Sequence, residues 1–67
     1  MNIETSFNGE NFSGFLHGHL QSGVLTVKEY SFEVNDNYSG LEEKEFFKEL
    51  INCTEVVILK GANIWAN

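Results

Sequence analysis

Residues 12–34 read Phe12-Ser13-Gly14-Phe15-Leu16-His17-Gly18-His19-Leu20-Gln21, then Ser22-Gly23, then Val24-Leu25-Thr26-Val27-Lys28-Glu29-Tyr30-Ser31-Phe32-Glu33-Val34. Successive side chains on a strand point to opposite faces. The first run therefore places Phe12, Gly14, Leu16, Gly18 and Leu20 on one face, and Ser13, Phe15, His17 and His19 on the other. Ser22-Gly23 supplies a residue tolerant of positive φ and predicts a tight hairpin turn. A two-residue loop sets Leu20 opposite Leu25 and Gly18 opposite Val27, all on the core face. After Lys28-Glu29 the apolar residues move from odd to even positions, which is the mark of one extra residue in a β-bulge. With that bulge Tyr30 falls opposite Leu16, Phe32 opposite Gly14 and Val34 opposite Phe12. The two glycines are then expected to leave room for large side chains across the strand pair.

Outward from this hairpin the chain reads in both directions. Ile3, Thr5 and Phe7 alternate ahead of Asn8-Gly9-Glu10-Asn11, which predicts a first strand and a turn. On the other side Asn35 to Tyr38 is polar turn sequence. Ser39-Gly40-Leu41-Glu42 matches a capping box, with Ser39 as N-cap and Glu42 at N3. Phe46, Phe47, Leu50 and Ile51 fall within one arc of a 3.6-residue period, with charged residues around most of the remainder. Asn52 is the expected terminator. Thr54 to Lys60 reads as a strand apolar on both faces, which implies a central position or an interface. Residues 61–67 are expected either to add a short strand or to lay Trp65 over the open end of the core. The fold class is α+β: a small antiparallel β-sheet, β-β-β-α-β, with one helix packed on one face, in a single domain spanning residues 1–67.

At 67 residues the chain has room for one core and little for a buried cleft. Cys53 is the only cysteine; with no partner in the chain, it reads as a small buried hydrophobe in a reducing compartment. No apolar run approaches the ~20 residues that span a bilayer, and the first residues lack the pattern of an export signal. The expected location is cytoplasmic, with no membrane partner. Ten carboxylates against four lysines and no arginine give a formal charge of −6. A field of that sign repels a polyanion, so direct nucleic-acid binding is not expected and a basic protein surface is the natural partner.

No catalytic or cofactor motif emerges. His17 and His19 have metal-ligand spacing on one strand face, but only Glu29 and Glu33 offer further ligands, and exposed histidines are the preferred interpretation. No nucleophile sits in a signature with a base, and no phosphate-binding glycine loop occurs. The chain is thus expected to be non-enzymatic, without cofactor or metal. Two surfaces remain for binding. Phe15, His17 and His19 lie on the strand face away from the core, and Asp36, Glu42, Glu43, Glu45 and Glu49 form an acidic stretch before and along the helix.

These features predict a small acidic inhibitor that blocks the basic nucleic-acid-binding surface of a larger, nucleic-acid-processing enzyme. In size and charge the chain is comparable to anti-CRISPR and other phage anti-defence proteins, although it carries no motif of any such family. The alternatives are a toxin-neutralising immunity or antitoxin-like protein, and a self-assembling structural subunit. In the last case Val56 to Leu59 and Trp65 would form a homodimer contact.

Overall fold

The computed structural model describes residues 1–34 and 42–64. Asp36, Ser39 and Trp65 lie outside the described residues. The elements are β1 (Asn2–Asn8), β2 (Phe12–Gln21), β3 (Val24–Val34), α1 (Glu43–Ile51) and β4 (Glu55–Ile58), and the strands form one sheet in the order β1-β2-β3-β4. None of the described helices is long and apolar enough to cross a membrane.

The β2–β3 hairpin has the register that its alternation implies. Leu20 pairs with Leu25, Gly18 with Val27, Leu16 with Tyr30, Gly14 with Phe32 and Phe12 with Val34. The register shifts between His17 and Gly18, so Lys28 is the extra residue of the bulge. At the turn both Ser22 (φ 53°) and Gly23 (φ 78°) are left-handed, as a two-residue hairpin loop matching the strand twist requires. The glycines in β2 have a different role from the one their partners suggest. A Cβ at Gly14 would strike the Ser31 carbonyl and one at Gly18 the Thr26 carbonyl, so they are kept small by the approach of the β3 backbone and not by the bulk of Phe32 or Val27.

The sheet is mixed, whereas an antiparallel one was expected. β1, β2 and β3 are antiparallel, but β4 runs parallel to β3, from Val24 opposite Glu55 to Val27 opposite Ile58. The intervening helix is the cause. Nine residues of α1, about 13 Å at 1.5 Å per residue, help carry the chain back to the end where β3 began, so the next strand starts beside β3's start. There the Gly23 carbonyl accepts the backbone N–H groups of Thr54 (2.9 Å) and Glu55 (3.2 Å) and the Thr54 hydroxyl (2.9 Å).

β4 is an edge strand, not a central one. Its two-sided apolar character divides between buried Val56 and Val57, which remains 38 % exposed. Beyond β4 the chain rejoins β3: Tyr30 N–H donates to the Ala62 carbonyl, and Ile64 N–H to the Tyr30 carbonyl. The expected extra strand is thus a single parallel bridge between Tyr30 and Asn63.

The helix begins later than the capping-box pattern implies. Glu42 is itself the N-cap, extended at φ −91°, ψ 128°, and its side chain makes no capping hydrogen bond. Glu43 and Glu45 in the first turn still complement the positive helix end. At the other end Asn52 adopts the left-handed conformation, φ 61°. Cys53 N–H returns to the Lys48 carbonyl at 3.1 Å, and this bond closes the helix in the manner of a Schellman stop.

The core lies between α1 and one face of the sheet. Leu16, Leu25, Val27 and Phe47 are almost wholly buried, and Cys53 lies among them as an apolar side chain. Five of the six phenylalanines, Phe7, Phe12, Phe32, Phe46 and Phe47, form one cluster of ring contacts, with Tyr30 joined to it through Phe47. Tilted and edge-on pairs of this kind add to the area they bury.

Tyr30 also gives the core a pH limit. Burial, reinforced by a hydrogen bond to the Glu43 carboxylate and by its charge, pushes the phenol from 10.0 up to about 12, while a hydrogen bond from Asn63 acts in the opposite direction. The folded state therefore holds this proton more tightly than the unfolded chain. The stabilisation is complete below pH 10 and is lost as pH rises through about 12. Two units correspond to about 2–3 kcal/mol. Urea midpoints between pH 9 and 12 should fall more steeply for the wild type than for Tyr30→Phe, and parallel curves would contradict this account.

Candidate functional site on the open face of the sheet

The helix covers one face of the sheet and leaves the other without a covering layer among the described residues. Strand alternation and the observed pairings generate cross-strand rows on that open face. Glu4, His17 and Glu29 form one row, and Ser6, Phe15 and Ser31 the next. Asn8, Ser13 and Glu33 follow, while Asn2, His19, Thr26 and Val57 lie at the other end.

Phe15 is the one phenylalanine outside the aromatic cluster. It is half-buried, and both its directly opposed neighbours are serines. Ser31 is itself buried although it lies on this face, so the ring is only partly accessible, and diagonal neighbours stay within reach of long side chains. The diagonals from Phe15 hold Glu4 on β1 and Glu29 and Glu33 on β3. An open depression lined by Glu4, Ser6, Phe15 and His17 lies beside the ring. His17 Nδ1 approaches Glu29 Oε1 at 3.4 Å, with both side chains largely in solvent. His19 Nε2 is 3.5 Å from the amino group of Met1.

Comparison with protein-family models, with curated proteins and with solved structures finds no match. Among the described residues no three His, Cys, Asp or Glu side chains converge as metal ligands. The depression beside Phe15 is shallow and open to solvent, which suits a contact surface better than enclosure of a small molecule.

The acidic residues of the helix occupy a separate surface. Glu42, Glu45 and Glu49, at i, i+3 and i+7, share one helix face and are all exposed. Lys48 Nζ lies 3.9 Å from Glu45 Oε1 and offsets part of that charge. Glu43 does not belong with them, because its carboxylate is engaged by Tyr30 and its side chain is half-buried. Phe15, His17 and His19 are thus brought together on one layer, and Glu42, Glu45 and Glu49 on the opposite one. Sequence reading missed Glu4 and Ser6 as neighbours of Phe15. A two-residue Glu10-Asn11 turn, with Gly9 N–H donating to the Phe12 carbonyl at 2.8 Å, fixes that register and was the available signal.

Proposed function

We propose that this chain is a non-enzymatic binding protein that docks the open face of its sheet onto a basic surface of a larger protein. Blocking of a nucleic-acid-binding surface, as an anti-defence inhibitor would do, is the finer form of this reading. The observation that carries it is Phe15, an aromatic side chain set apart from the core cluster, with Glu4, Glu29 and Glu33 at its diagonal cross-strand positions. Aromatic residues act as anchors once desolvated, and a guanidinium or ammonium stacked on such a ring within reach of carboxylates gains both cation–π and charge attraction. The formal charge of −6 adds steering towards a basic partner.

Once a partner is captured, Phe15→Ala should speed dissociation and weaken binding by roughly tenfold or more. Glu4→Lys with Glu33→Lys should slow association, most of all at low salt. Glu45→Lys with Glu49→Lys serves as the comparison. If that pair abolishes binding and the sheet substitutions do not, the helix is the contact surface and this reading fails. Competition between the protein and nucleic acid for the captured partner tests the finer form, and simultaneous binding of both would reject it.

A further inference from the structure

The two edges of the sheet differ in how they are protected. Leu20 N–H donates to the Met1 carbonyl at 2.8 Å, the Met1 amino group donates to the Leu20 carbonyl at 3.0 Å, and Gly9 N–H meets the Phe12 carbonyl. Bonded pairs alternate along an antiparallel ladder. Ile3, Thr5 and Phe7 therefore turn their backbone groups towards β2, and Asn2, Glu4, Ser6 and Asn8 turn theirs outward. This edge is seven residues long, with no proline, no bulge and one charged side chain. Natural edges are normally shortened, charged, bulged or covered, because bare ones recruit another strand.

β4 is the better-protected edge. It has four residues, and since Glu55 and Leu59 donate to β3, only Val56 and Ile58 face outward within the strand.

We propose that β1 pairs with β1 of a second copy, antiparallel about a two-fold axis through Thr5, to give a continuous eight-stranded sheet. In this register Asn2 meets the partner's Asn8 and Glu4 meets the partner's Ser6. The outward-facing groups of each strand thus coincide, giving four bonded pairs that exchange two bonds each. Thr5 faces the partner's Thr5, and on the helix side Ile3 meets the partner's Phe7, both favourable cross-strand combinations. The choice of a second copy rests on this self-complementarity: Glu4, the one charge on β1, faces a hydroxyl and not another carboxylate. The net charge of each chain opposes association, so added salt strengthens the dimer. A ladder of this size belongs with small, weak interfaces.

Sedimentation of the whole chain from about 10 µM to about 1 mM should show the mass rising from 7.6 kDa towards twice that value. Ser6→Lys places opposite charges across the two-fold axis and should tighten the dimer roughly three- to tenfold, while Ser6→Glu opposes two carboxylates and should weaken it by at least as much. Ser6→Pro removes an N–H that the protein's own sheet does not use, and should weaken the dimer by at least about 100-fold. Ser6 is exposed, so circular dichroism of the Lys and Glu variants should match wild type, and these two decide the matter if the proline variant misfolds. A monomer at every concentration overturns the proposal. So does a dimer indifferent to the substitutions at Ser6, which would place the contact on another edge.

Discussion

Phe47→Ala is expected to remove roughly half of the protein's stability at room temperature. Phe47 is 0 % exposed and its ring lies within 6.2 Å, centroid to centroid, of Phe7, Tyr30, Phe32 and Phe46. Truncating such a side chain costs about 3–5 kcal/mol, because the lost transfer energy is joined by the cavity left behind. At about 0.05–0.15 kcal/mol per residue, a domain of this size has only roughly 3–10 kcal/mol in total. The same substitution at Leu50, which remains 39 % exposed on the same helix, should cost under about 1 kcal/mol. Urea titrations of the two variants check this, and comparable losses would show that the helix does not depend on Phe47 for its attachment.

Gly14→Ala is the second severe change. The added carbon would occupy the position of the Ser31 carbonyl oxygen, and it would also stand 3.0 Å from the Phe7 ring, at a residue whose φ of 156° suits glycine. A side chain can rotate away, but a carbonyl in a strand cannot move without opening the β2–β3 pair. The expected cost is at least about 3 kcal/mol. A double substitution separates the two possible causes. If the bulk of Phe32 made Gly14 necessary, Phe32→Ala would restore the alanine variant; since the obstacle is main chain, stability should drop further. Rescue by Phe32→Ala would reject the backbone explanation.

The parts of the fold legible in the sequence are those set by neighbouring residues. Ser22-Gly23 fixes the hairpin, and the shift of apolar residues from Val27 to Tyr30 marks the bulge because the core face must be regained. The direction of β4 was not legible in this way. Nothing within Glu55–Ile58 distinguishes a parallel from an antiparallel partner; the distinction comes from how far the helix carries the chain, a property of the connection and not of the strand. The reason for Gly14 was hidden similarly, since a one-dimensional pairing shows which side chains face each other but not how near two backbones come. For the candidate surface, alternation and the β2–β3 register already set Glu29 and Glu33 beside the face that carries Phe15, His17 and His19, and only Glu4 needs the β1–β2 register as well. Glu43 shows the converse. It resembles the other helix acids until the helix is placed on the sheet, where it becomes the acceptor for Tyr30.

The late arrival of β4 has a consequence for the order of assembly. The three-stranded meander is built from near neighbours in the chain, whereas the Thr54 hydroxyl and the Gly23 carbonyl meet across 31 positions. Closing so long a loop costs chain entropy before any contact repays it. Until residues 54–64 are in place, the eleven-residue strand β3 is the longest bare margin in the molecule and its adhesive side. The helix and β4 are therefore expected to close last, as a clasp. In the interval before it closes, the bulge and the charge of Lys28 interrupt that margin, and such features disfavour the addition of another strand.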